Sequence, residues 1–206
     1  MSEISSLLRF ITIAESLKRE LRHSWLSDRR RESVAEHTWM MSLLAILFAK
    51  RLATPVDLGR TLRMVIVHDL VEAVCGDVPS FEDSERMQQK AANERAAMQR
   101  LRQELPADLG AEIAELWDEF EARQTPEARF AVSLDKLEVQ LQHNLAPLDT
   151  WERVEYDLVY TKVLQPCAHD EFLAAVARAV IDQAERKMAA GGIDVAALRA
   201  AHDPIG

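Results

Sequence analysis

Four side chains stand in an order that could hold a divalent cation: His37, then the adjacent pair His68 and Asp69, then Asp135. Two imidazole nitrogens with two carboxylate oxygens make a mixed donor set. That set suits manganese, iron, cobalt, nickel or zinc, and suits magnesium less, whose shell is preferentially all oxygen. A histidine beside an aspartate is common and by itself points only to a core histidine bonded to a carbonyl. The surroundings change that reading. His68 and Asp69 interrupt an apolar run, Val65-Ile66-Val67 before and Leu70-Val71 after, and an unpaired charge in such a run is too costly to be incidental. Glu72 follows at helical spacing, near enough to share the same ion's surroundings or to touch its water. Gly76-Asp77-Val78-Pro79 is then a turn that can return another carboxylate to the same cavity.

These residues need helices to position them. Apolar residues recur at three- and four-residue spacing along most of the chain, without alternating β-branched runs, so the expected fold class is all-α, a single-domain helical bundle. A first helix is expected over residues 3–20, followed by a polar connection, 21–32, that carries Arg22 and Trp25. Ser33-Val34-Ala35-Glu36 reads as a capping box that starts a helix reaching about residue 52 and places His37 in its first turn. Thr54-Pro55 is expected to open a helix that carries His68, Asp69 and Glu72 near its end and stops at Gly76. Charged amphipathic helices follow over residues 84–105 and 108–122. Thr125-Pro126-Glu127 starts the helix that presents Asp135 and ends before Pro147. Residues 149–164 are poorly periodic, a long helix covers 170–188, and Gly191-Gly192 breaks the chain. The expected domain is therefore residues 1–190, with 191–206 a tail that holds one short helix at most and is the least ordered part.

Composition narrows the function. With 25 Lys and Arg against 34 Asp and Glu, the net charge of −9 opposes extended nucleic-acid binding. Arg29-Arg30-Arg31, with Arg19 and Arg22 upstream, is the one concentrated basic region, read either as a small-anion site or as a solvated loop. Cys75 and Cys167 lack paired spacing and read as free thiols of a cytoplasmic protein. The charged amino terminus is no signal-peptide core, and residues 38–49 form too short an apolar stretch to span a membrane, which needs roughly 20 residues. His23, His143, His169 and His202 fall outside the clustered motifs and read as structural or surface residues. Trp117, Trp151, Phe120, Met40 and Met41 read as core or subunit-interface residues.

Between residues 22 and 141 the chain resembles the HD-domain superfamily, and within it the HD-domain 5′-nucleotidase family of YfbR-like 5′-deoxynucleotidases. The resemblance rests on Arg22 with Trp25, on Glu32-Ser33-Val34-Ala35-Glu36-His37, on His68-Asp69-Leu70-Val71-Glu72-Ala73 with Gly76-Asp77-Val78-Pro79, and on Leu134-Asp135-Lys136-Leu137-Glu138. It departs at Ser24, where relatives carry glycine, and at Ser80, where they carry proline or threonine. The resemblance implies an HD-type bundle and a metal-dependent phosphohydrolase that releases phosphate from nucleoside 5′-monophosphates, deoxyribonucleotides in particular. By it His37, His68, Asp69 and Asp135 are the metal ligands and Glu72 is a catalytic acid or base. Arg22 orients the phosphate, and Arg22, Trp25, Asp77, Val78, Pro79 and Ser80 contact the substrate. It implies one divalent transition metal, room for a second cation such as magnesium near Glu72 and Asp77, and a homodimer. Two other readings stand beside it: a different HD-type hydrolase acting on a phosphodiester or triphosphate, and a non-catalytic helical interaction protein that keeps its metal for structure.

Overall fold

The computed structural model describes residues 2–79, 81–82 and 84–202. Ser80, the last of the expected substrate contacts, lies outside the described residues. The helices are α1 (Glu3–Ala14), α2 (Val34–Phe48), α3 (Leu58–Val67), α4 (Glu72–Cys75), α5 (Glu85–Glu104), α6 (Ala107–Ala122), α7 (Pro126–Leu145), α8 (Arg153–Lys162), α9 (Leu164–Cys167), α10 (Glu171–Ala190) and α11 (Val195–His202). The fold is thus a helical bundle. α7 is its central stave, capped by the Thr125 hydroxyl accepting from the Ala128 amide, with Pro126 at the first position. Phe130, Leu134 and Leu137 on α7 are completely buried among residues of α2, α3 and α10, each stabilising the fold by about 1.5–3 kcal/mol. A second core lies between α1, α5, α6 and the end of α3. There Gly110 allows close approach, since a β-carbon would overlap the Arg102 carbonyl. A third core gathers Trp151, Val159, Ala184, Met188 and Leu198.

Several expectations are corrected. The first helix ends at Ala14 and passes through a 3₁₀ turn, Glu15–Lys18, and the connection after it is a hairpin, β1 (Leu21–Trp25) pairing antiparallel with β2 (Arg31–Ser33). Its short strands have no β-branched alternation to announce them. Its turn relies on Arg29 at a φ of 69° and on the Asp28 carboxylate accepting from the Arg30 amide. Thr54-Pro55 does not start α3. Asp57 does, accepting from the Arg60 amide, because residues before it are tied elsewhere: the Ala53 amide donates to Asp170 and the Asp57 amide to Glu127. The helix also does not run on through the His68–Asp69 pair. It tightens after Val67 into i→i−3 bonds, Leu70 to Val67 and Glu72 to Asp69, before α4 resumes. At the tail, α11 is docked: Leu198 is buried and Arg199 pairs with Glu185.

Candidate metal centre

The cradle is assembled by α2, the α3–α4 turn and α7. The capping box at Ser33 fixes the start of α2, with the Glu36 carboxylate accepting from the Ser33 amide at 2.9 Å, so that His37 points inward from the first turn. The tightened turn after Val67 matters because three-residue periodicity aligns Asp69 with Glu72. Asp135 comes from the middle of α7. Among these side chains His37 Nε2 lies 3.4 Å from Asp135 Oδ1 and 3.8 Å from Asp69 Oδ2, and His68 Nε2 lies 3.1 Å from Asp69 Oδ2. The structure therefore brings together the four residues named from sequence.

The tautomers are set from behind. His68 Nδ1 donates to the Val65 carbonyl at 2.7 Å, and His37 Nδ1 lies 2.5 Å from Glu138 Oε2. Both Nε2 atoms are left buried without a hydrogen-bond partner, facing carboxylates. Without a proton the two Nε2 atoms and the carboxylate oxygens are all acceptors, so the space between them calls for a proton or a metal cation. Electrostatics agree. Burial and Arg22 oppose a proton on His37, yet Glu138 and Asp135 carry its pKa up to about 10. Burial also opposes the charge on Asp69, but His68, Arg22 and His37 hold its carboxyl well below the usual range. Asp135 is held likewise by Lys136, His37 and His68. The field that would hold a proton here equally holds a divalent metal, and the donor set fits one.

A cavity of about 530 Å³ opens over this cradle, lined by Arg22, Asp69, Glu72, Asp77, Val78, Pro79 and Asp135 among others. Arg22 is 8% exposed, places Nη1 3.2 Å from Asp69 Oδ2, and lies with Nε 3.6 Å from Glu32 Oε2. Burial works against its charge, but Asp69, Asp77 and Glu72 keep it firmly protonated. Glu72 has one buried carboxylate oxygen without a partner. Burial first, then Asp69 and Asp77, push its pKa up to about 10.

Trp25 is placed differently from its sequence reading. Its ring lies under the Arg31 guanidinium at 4.5 Å, its carbonyl accepts from Gln142, and it is not among the cavity's lining residues. The triple arginine is no free anion site either: Arg29 pairs with Asp149, Arg30 with Glu36, and Arg31 covers Trp25. Glu138 and Glu32, which stand behind His37 and Arg22, fall within the motifs quoted from the sequence but are given no role there. Glu138 was visible as the acid three residues after Asp135, one turn along the same helix. Sequence reasoning also passed over His23 and His143, which line the cavity with Glu155.

The family model described as an HD domain matches residues 14–170. The 5′-deoxynucleotidase HDDC2 of Xenopus laevis is 36% identical over 139 residues, 66% of this chain and 67% of that one. Its human counterpart is 34% identical over 139 residues, 66% of each chain. The 5′-deoxynucleotidase hdd1 of Schizosaccharomyces pombe is 30% identical over 142 residues, 66% of this chain and 70% of that one. The chain thus matches about two thirds of the length of these relatives. A crystal structure from Magnetospirillum magnetotacticum MS-1, described as a predicted metal-dependent phosphohydrolase, matches with a TM-score of 0.78 at 35% identity, covering 90% of this chain and 94% of that one. The PH0347 protein of Pyrococcus horikoshii OT3 shares the fold, with a TM-score of 0.62 at 24% identity over 83% of this chain and 98% of that one.

Proposed function

The chain belongs to the HD-domain family and is a metal-dependent phosphohydrolase by that kinship, and we propose that it releases phosphate from nucleoside 5′-monophosphates, deoxyribonucleotides above all. One observation carries the reading: two buried imidazole nitrogens without partners converge on two carboxylates at the floor of a cavity that also holds Arg22 and Glu72. His37, His68, Asp69 and Asp135 would hold one divalent transition metal, from manganese, iron, cobalt, nickel or zinc. Bound there, it supplies Lewis acidity, polarising a phosphoryl oxygen and lowering the pKa of a water. Arg22 presents guanidinium donors to the phosphate and offsets charge that develops during attack. Glu72, carrying a proton at neutral pH, hands it to the departing 5′-oxygen. Asp77, Val78 and Pro79 form the cavity wall beside them, where the sugar rests. A second cation such as magnesium, if bound near Glu72 and Asp77, would take the place of that proton.

The wider setting follows the same reading. The substrate is a small nucleotide, since the net charge of −9 disfavours long nucleic acid. No helix among the described residues is long and apolar enough to cross a membrane. The free thiols Cys75 and Cys167 suit a reducing cytoplasm. Trp39, Leu43, Ile46 and Leu47 run along α2 at helical spacing and remain exposed, as do Ile4, Leu8 and Ile11 on α1. Faces of that kind mark a subunit contact, here a homodimer, and sedimentation showing only monomer at micromolar concentration would end that part of the reading. The activity is tested by phosphate release from ribo- and deoxyribonucleoside monophosphates with added manganese or cobalt. Turnover of deoxyribonucleotides is expected. Turnover of phosphodiesters or triphosphates alone would replace the proposal with another HD-type hydrolysis, and release from no substrate would leave a metal-stabilised interaction protein.

A further inference from the structure

α7 carries a second histidine–carboxylate cluster. His143 lies two turns beyond Asp135, and Val139 and Gln140 between them line the same cavity, so the two clusters share one wall and stand about 12 Å apart along the helix. Around His143 are gathered His23 from β1 and Glu155 from the first turn of α8. One donor atom from each of the three lies within 4.8 Å of the others. Glu155 Oε1 is 2.8 Å from His143 Nε2 and 3.3 Å from His23 Nε2. Two donors bound to one tetrahedral ion at ordinary ligand distances stand roughly 3.4 Å apart, which is close to this spacing.

Each group is aimed by its neighbours. His143 Nδ1 lies 2.7 Å from the Val139 carbonyl, which can only accept, so the proton belongs on Nδ1. Nε2 is thereby aimed at the Glu155 carboxylate oxygen, and either a proton or a metal ion between them completes the pair. His68 is held the same way in the first cradle, with Nδ1 on the Val65 carbonyl. Such back-bonding is the usual support of a ligating histidine. Trp151 packs edge-on against His143 at 5.5 Å, Phe81 packs edge-on against His23 at 5.0 Å, and the second oxygen of Glu155 accepts from the Glu152 amide at 2.6 Å.

We propose that His23, His143 and Glu155 form a second divalent transition-metal site, zinc being the best match to two imidazoles and one carboxylate, with its remaining position open to the cavity. The site is too far from the first for the two ions to share one phosphoryl group, since co-catalytic pairs stand about 3.5–4 Å apart. It ties β1 and α8 to α7 at the end of the cavity away from the cradle. The proposal does not depend on the identity of the substrate.

The test is metal stoichiometry on the full-length protein, stripped with chelator and titrated with cobalt, followed by calorimetry and by cobalt visible absorption. Two equivalents are expected in the parent protein. Asp69→Ala should retain the tetrahedral cobalt spectrum of the second site, and His143→Ala should lose that spectrum while keeping the first equivalent. His23→Gln, a milder change at a partly buried position, should weaken the second equivalent 10–100-fold and keeps the test intact if His143→Ala does not fold. A single equivalent that both His143→Ala and His23→Gln leave unchanged overturns the proposal and means that a proton fills the gap. A nucleotidase that fails would instead leave this stoichiometry untouched.

Discussion

The two clusters along α7 are built alike and charged differently. Each has an imidazole whose Nδ1 is tied to a carbonyl three or four residues earlier, and each sets a carboxylate oxygen about 3 Å from the opposite nitrogen: 3.1 Å for His68 and Asp69, 2.8 Å for His143 and Glu155. In the cradle at Asp135, two carboxylates meet two imidazoles, with Glu72 and Glu138 adding further acid. Both Nε2 atoms lack partners. At His143, one carboxylate meets two imidazoles, and a single extra proton can satisfy the set. On the proposed readings the difference in anionic donors sets what each would hold: the cradle, with two carboxylates, would favour a doubly charged ion, whereas the second cluster would bind a cation in closer competition with protons and more weakly.

The sharpest way to break that contrast is at Asp69. Removing its carboxylate takes one of two anionic donors from the cradle and the partner that steadies Arg22. Asp69→Ala is expected to lose both the tightly bound metal and at least about 10³-fold in phosphate release. Glu72→Ala should lose a comparable share of activity while metal analysis still finds the first equivalent, because Glu72 lies outside the four-donor set. Equal loss of metal in both variants would move Glu72 into the coordination shell.

Glu138→Gln sharpens the comparison from behind. The substitution keeps an acceptor near His37 Nδ1 but removes the buried negative charge that strengthens the ring as a ligand. Metal affinity should fall about 10–100-fold with little change in fold, read by competition with a chromogenic chelator. Unchanged affinity would show that His37 is oriented by packing alone.

How much of this was legible in the sequence depends on whether a residue's partner was local. His37 was readable because a capping box, complete within four residues, fixes where α2 begins. The pair at 68 and 69 stood out as charge in an apolar run. Asp135 followed from order along the chain and from resemblance. The hairpin was not legible: β1 has five residues and β2 three, held by Arg31 over Trp25 and by the cap on α2, none of which leaves a period. For the same reason Trp25 was aimed at the substrate, although its local partner, Arg31, lies across the hairpin. His143 and Glu155 are twelve residues apart and separated by Pro147, and His23 is more distant still. Only folding brings them to one ion's reach, so as isolated residues they carried no signal.

The smallest expected effect comes from the second cluster without metal. Burial raises the Glu155 pKa, but hydrogen bonds from His143 and His23 outweigh it and bring it down from 4.5 to about 2. A depressed carboxylate contributes stability that is fully present above its unfolded value and disappears as pH falls through the folded one, here between about 4.5 and 2. Chelator-treated protein should therefore lose stability across that window, and Glu155→Gln should lose less across it while starting about 1–3 kcal/mol lower at neutral pH. Thermal melts at successive pH values measure both slopes. Parallel curves would mean that Glu155 is no more favourably placed in the folded protein than in the unfolded chain, and the likeness between the two ends of α7 would reduce to shape without charge.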